Sequence, residues 1–258
     1  MTIERRALIG SLIALPLLAG RAAALGGNRG MVSLTYDDGL PCHLDLAVPA
    51  LDRRDLRATF YVTLENIEPR AAAWAAIAQR GHELADHTVH HPCDIGRKTA
   101  AAMASRELRP IEHWLDQVVG RRRPRDYAYP CDVTNLGPGS ANVEVRRYDR
   151  LLRSLGIDSA RTSEGPPNAA GWIRSHPYRL QALALGYDAP ALSDVFGYLE
   201  RARAQRRWAI LVLHQIGDGA ASDGFISIAD HERLLDALAA SDMMVCTVGE
   251  TMRALRTA

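Results

Sequence analysis

From Met31 onward, short apolar runs alternate with longer stretches whose apolar residues recur every three or four positions. The first kind predicts strands and the second helices. Met31–Tyr36 is predicted as a buried strand, ending at Asp37-Asp38-Gly39, which turns. Further strands are predicted at Ala58–Val62, Glu83–Asp86, Asp126–Tyr129, Asp158–Arg161, Trp208–Leu213 and Met244–Val248. Helical periodicity fills the intervals at Leu44–Leu56, Ala71–Gln79, Thr99–Val119, Val143–Leu155, Asp194–Gln205 and His231–Ala240, with a terminal helix from near Glu250. Gly81, Gly120 and Gly156 supply helix stops. Strand–helix alternation predicts an α/β fold with a parallel sheet, barrel or open, covered by helices. Ligand chemistry in such folds gathers beyond the carboxyl ends of the strands. Asp37, Asp38, His87, His91 and His214 all fall just after predicted strands, so they are expected to converge on one face.

The first residues break the pattern. Arg5 and Arg6 precede an apolar run from Ala7 to Gly20, and Ala22-Ala23-Ala24 follows. A charged start, a short apolar segment and small residues predict a signal peptide over residues 1–24, and the paired arginines loosely fit a twin-arginine signal. The run is short for a membrane span, so no stable insertion is expected after its removal. The mature chain, 25–258, is then expected in the periplasm or outside the cell, where disulfides persist. Neither a composition shift nor a Pro-rich linker nor a repeat divides it, so one catalytic domain is predicted. Hydrophobic residues make up 47% and charged residues 24%, the balance of a globular enzyme with a core. A net charge of +1 argues against a nucleic-acid partner. Lys98 is the sole lysine, which disfavours Schiff-base chemistry, and no Gly-x-Ser-x-Gly elbow marks a serine esterase.

Three clusters carry candidate chemistry. Thr35-Tyr36-Asp37-Asp38-Gly39 sets two carboxylates side by side, one able to hold a metal and the other to stay free as a general base. In His87-Thr88-Val89-His90-His91-Pro92, His87 and His91 stand four apart, so a helical turn would aim both imidazoles at one ion. His90 is expected to point elsewhere, and His82 to support the ligand histidines or to be merely structural. Two histidines and an aspartate are the ligands of a catalytic zinc, with positions left for water and substrate. His214 closes the apolar strand Ile210-Leu211-Val212-Leu213 and is a candidate general acid. Leu211 and Leu213 are expected to form an apolar wall for a methyl group, and the Gly- and Asp-rich stretch Gly217–Gly224 a mobile rim.

Thr-Tyr-Asp-Asp-Gly, His-Thr-x-x-His and Leu-x-x-His, in this order, resemble the signature motifs of the polysaccharide deacetylases, carbohydrate esterase family 4. The likeness runs over roughly Met31–Leu255. It implies a deformed (β/α) barrel with a divalent metal, usually Zn2+, and an acetylated carbohydrate as substrate. It assigns Asp37 as general base, Asp38, His87 and His91 as metal ligands and His214 as general acid. It also implies that the oxyanion is held by the metal and by a backbone N–H after the proline of Tyr129-Pro130-Cys131, which makes Cys131 the donor.

This third motif departs from the resemblance. Many relatives carry an arginine two residues before that proline, paired with an aspartate, to hold the base; here the position is Ala128. Arg174 or Arg179 is offered as the replacement. The departure leaves two alternatives open: hydrolysis of a cyclic, non-carbohydrate amide, or carbohydrate binding without catalysis. Of the four cysteines, Cys42, Cys93 and Cys131 border the expected site and Cys246 lies in an apolar strand. A Cys93–Cys131 disulfide is favoured, because it would tie the metal-ligand loop to the oxyanion loop. Cys42–Cys93 and a fully reduced state are the alternatives. Which sugar, N- or O-linked acetyl, and the oligomeric state are not legible.

Overall fold

The computed structural model describes residues 29–121, 124–139, 141–186, 191–218 and 224–257. The proposed signal segment, 1–24, lies outside them. β1 (Met31–Asp38), β2 (Thr59–Val62), β3 (Glu83–Asp86), β4 (Asp126–Ala128), β5 (Ser159–Arg161), β6 (Leu183–Ala184) and β7 (Trp208–Leu213) form one sheet in the order β5-β4-β3-β2-β1-β7-β6. A short pair, β8 (Gln215–Ile216) with β9 (Phe225–Ile226), follows, and β10 (Met244–Val245) pairs with the start of β1. Every ladder is parallel. The sheet curls until its edges nearly meet. Among the described residues β5 and β6 share no ladder; the Arg161–Leu180 bridge and the Ala184 N–H bond to the Ser163 carbonyl (3.1 Å) join the two edges. The result is a deformed (β/α) barrel.

Strand periodicity sorts the side chains into two layers. Val32, Leu34 and Tyr36 of β1 and Ala209, Leu211 and Leu213 of β7 pack outward, with Leu51, Trp74, Leu115 and Leu234 from the covering helices. Trp208, Ile210 and Val212 belong to an inner cluster with Tyr61, Ala85, Ala128 and Leu180. On β1 the alternate positions are polar: Ser33, Thr35 and Asp37, all buried. The Trp208 indole N–H donates to the Ser33 hydroxyl (2.9 Å), so the inner face is polar along β1 as well as at its end. Parity thus aims Asp37, and one residue past Leu213, His214, at the barrel mouth.

Two helices are interrupted by π-helical turns, His43–Ala47 and Met103–Leu108. Each leads into a segment with proline in its first turn, Val48–Asp52 with Pro49 and Arg109–Val119 with Pro110. Proline donates no N–H, and the widened turn absorbs the broken ladder. The predicted strand at Met244–Val248 shortens, because Val248 already begins the terminal helix Val248–Thr257. No helix of the described residues is long and apolar enough to cross a membrane.

Candidate active site

Asp37 and Asp38 are the last two residues of β1, inside the strand rather than after it. Asp38 takes a left-handed φ of +75°, and Gly39 follows at +69°, where an added Cβ would lie 2.5 Å from the Ile67 Cγ2. The sharp turn splays the two carboxylates apart. Hydrogen bonds from Thr63 Oγ1 (3.0 Å) and Asn66 Nδ2 (2.9 Å) hold the Asp38 carbonyl.

His87 follows β3 immediately, but residues 87–91 do not form the helical turn expected from their spacing. Thr88 and His91 have φ of +73° and +51°, and the loop is held by Thr88 N–H on Asp86 Oδ1 (2.7 Å) and His91 N–H on Thr88 Oγ1 (2.9 Å). The two imidazoles still meet, with ring centroids 4.7 Å apart. His87 Nδ1 lies 2.9 Å from the Ala128 carbonyl, which can only accept, so Nδ1 carries the proton and Nε2 keeps its lone pair. That Nε2 is buried without a hydrogen bond among the described residues, 3.5 Å from Asp38 Oδ1. His91 Nε2 lies 3.7 Å from the same oxygen. One ligand atom each from Asp38, His87 and His91 falls within 4.8 Å of the others. The donor set, the orphaned lone pair and the carbonyl that fixes the tautomer together fit a divalent cation.

Asp37 is buried and divided in its contacts. Its Oδ1 takes a hydrogen-bonded ion pair from the guanidinium of Arg161, also buried, while Oδ2 faces His214 Nε2 (3.9 Å) and His87 Nε2 (4.0 Å). Burial pushes the Asp37 carboxyl up, but Arg161, His87 and His214 more than offset it and hold the group below its usual range. Asp38 is likewise held below its usual range, its histidine neighbours outweighing burial. Desolvation lowers the His214 pKa, and the Asp37 and Asp38 carboxylates partly offset it.

Arg161 corrects the search for the missing guanidinium. It closes β5 in register with Ala128 of β4, so the charge arrives at the same level of the barrel from the neighbouring strand. Its Cζ lies 4.4 Å from the ring centroid of Tyr61, which supports it from below. Arg179 is engaged elsewhere, with Tyr129 Oη (2.7 Å) and Asp149 (3.0 Å), and Arg174 is exposed on the helix Ala170–Ser175. The signal for Arg161 was available in sequence: like Asp37 and His87, it stands at a predicted strand end.

A cleft of about 590 Å³ opens over this set, lined by Asp37, His87, His91, Cys131, Arg161 and His214 among others. Its apolar wall is Leu183 and Ala184 of β6, not Leu211 and Leu213, whose side chains pack outward among the helices. The expected rim at Gly217–Gly224 is described only at its ends, residues 219–223 lying outside the described positions; Gly224 N–H bonds the Gly186 carbonyl at 2.7 Å. His43, which sequence reasoning passed over, donates from Nε2 to the His214 carbonyl (2.7 Å). Burial lowers its pKa to about 4, so it positions His214 as a neutral ring. His90 turns away to Glu107 (3.3 Å), and His82 contacts Asp52 (3.3 Å), both as expected.

Cys93 and Cys131 form a disulfide with Cα atoms 5.4 Å apart, while Cys42 and Cys246 are buried and take no part in it. The bridge joins the His91 loop to the Pro130–Asp132 turn, where Cys131 itself has φ +51°. Asp132 extends the brace by accepting the Ser163 N–H (2.8 Å). A closure over 38 residues is worth about 2–4 kcal/mol. Reduction should therefore lower Tm by roughly 5–15 °C, measured by thermal unfolding with and without reductant. An unchanged Tm in the Cys93→Ser/Cys131→Ser variant would show that the bridge stabilises nothing.

Residues 25–137 match the family model for polysaccharide deacetylase, a span that includes the Asp37, His87 and Pro130 motifs and stops before Arg161 and His214. Among solved structures, the chain is similar to a carbohydrate esterase family 4 esterase of Streptococcus mutans (15% identity, TM-score 0.58, covering 89% of this chain and 90% of that one). It is similar to the peptidoglycan deacetylase PdaC of Bacillus subtilis (14%, 0.55, 89% and 93%). It is also similar to a family 4 pseudoenzyme of Bacillus anthracis (13%, 0.53, 88% and 66%). Among curated proteins, none matches the chain.

Proposed function

We propose, from the match of residues 25–137 to the polysaccharide deacetylase family model and from the geometry of the cleft, that the chain is an exported, metal-dependent hydrolase that removes acetyl groups from a carbohydrate. One observation carries the reading: the Arg161-held Asp37, His214 and two members of the Asp38–His87–His91 set, His87 and His91, line a single cleft. A divalent ion held by Asp38, His87 and His91, zinc by the chemistry of its ligands, would supply Lewis acidity toward the acetyl carbonyl and a water of lowered pKa.

The chain's own residues do the rest. Asp37, with Oδ1 fixed by Arg161, keeps Oδ2 toward the cleft and takes the proton of the attacking water. His214, with its backbone held by His43, faces Asp37 from β7 and gives a proton to the leaving nitrogen or oxygen. The Cys131 N–H is assigned to the oxyanion. Leu183 and Ala184 offer the surface for the methyl group. Cyclic-amide hydrolysis was attractive because a guanidinium appeared to be missing; Arg161 removes that ground. The fold also hosts a pseudoenzyme, and the complete set of side chains here favours catalysis. Export is supported by the N-terminal pattern and by a disulfide on exposed loops.

Acetate release from chitin, peptidoglycan and acetyl-xylan fragments tests the reading. Chelation should abolish release and Zn2+ restore it, and His87→Ala, His91→Ala and Asp38→Ala should each lose bound metal together with activity. Full turnover by a sample verified as metal-free would defeat it.

A further inference from the structure

We propose that the Cys93–Cys131 disulfide masks a second metal site: once reduced, the two thiols and His91 form a nitrogen–sulfur set for a thiophilic divalent cation such as Zn2+ or Cd2+. One ligand atom each from His91, Cys93 and Cys131 lies within 4.8 Å of the others. Both cysteines are exposed, so a reductant and an ion can reach them, and Cys131 lines the catalytic cleft. Two thiolates and an imidazole are softer than the carboxylate and two imidazoles of the first set, and thiolates are preferred by zinc and cadmium.

His91 belongs to both sets. As a disulfide, the sulfurs carry no thiolate, and His91 is left to Asp38 and His87. As thiols, they compete for it. The loops are built to respond, since Thr88, His91, Cys131 and Asp132 all hold left-handed φ values between 51° and 73°. Such non-glycine conformations persist where the surroundings over-determine them, and the bridge is a covalent part of that constraint. The chemistry balances with a dithiol reductant. Two electrons and two protons pass to the sulfurs, the S–S bond breaks, and the dithiol closes to its own disulfide. Each cysteine then releases its proton on binding the ion. The site stands on these three side chains alone; only its effect on turnover rests on the deacetylase reading.

Titration of Co2+ into oxidised protein, and into protein reduced by a dithiol that is then removed anaerobically, tests it. The oxidised form should show no thiolate-to-cobalt charge-transfer absorption. The reduced form should gain that absorption, lose it in Cys93→Ser/Cys131→Ser, and show Cd2+ protection of Cys93 and Cys131, but not Cys42 or Cys246, against alkylation. A reduced protein without the band overturns the proposal, as does a band that survives the double substitution. So does a reduced protein that loses its native circular dichroism and is not restored by the ion.

Discussion

Asp37→Asn should lower turnover by ~10² or more while bound metal stays at the parent level, because an amide of the same shape accepts no proton from water. Asp37 contributes no atom to the Asp38–His87–His91 set, so its side chain can change without removing a ligand. Asp38→Asn should do the opposite first, releasing metal and losing rate as a consequence. Metal content, turnover and circular dichroism measured together on both variants separate the roles. Should Asp37→Asn lose the metal and Asp38→Asn retain it, the two roles are reversed. The parent's pH profile carries a second mark. Since Asp37 is held below its usual value, the acid limb assigned to the base should lie on the acid side of an ordinary aspartate's titration. Its ion pair contributes stability above the unfolded-state pKa, near 4, and that contribution drains away as pH falls through the depressed folded value.

The strand ends were legible because two demands coincide there: an apolar run must stop, and a polar group must find a use. β1, β3 and β7 show it, each with reactive residues at or next to its carboxyl end. Two-residue β6 and the helix Ala170–Ser175 left no periodicity to read. The His87–His91 pair was placed together for the wrong reason. Spacing by four suits a helical turn, but a loop with left-handed Thr88 and His91 joins the same two rings. The misassigned wall of Leu211 and Leu213 was avoidable by parity. If His214 faces the cleft, then Val212 and Ile210 share its side of β7, and the leucines do not. The disulfide was legible because both cysteines sit in loops that the motifs had already brought to one place.

Arg161→Met should destabilise the fold by about 3–5 kcal/mol, because it strands the Asp37 carboxylate in a buried site without its counter-charge. The protein has a partial remedy, protonation. With the guanidinium gone, burial becomes the dominant influence on Asp37, and its pKa should rise. The acid limb of kcat/KM should then move to higher pH, an effect that loss of packing alone does not produce. Arg161→Lys should recover part of both losses, since an ammonium returns the charge without the planar donor pair. The double variant Arg161→Met/Asp37→Asn completes the cycle. Removing both charges leaves nothing stranded, so its stability should exceed that of Arg161→Met while its turnover stays as low as that of Asp37→Asn. Urea unfolding and pH–rate profiles on the four proteins decide the matter. If Arg161→Met unfolds with the parent's free energy and keeps the parent's acid limb, Arg161 is not the partner of the base.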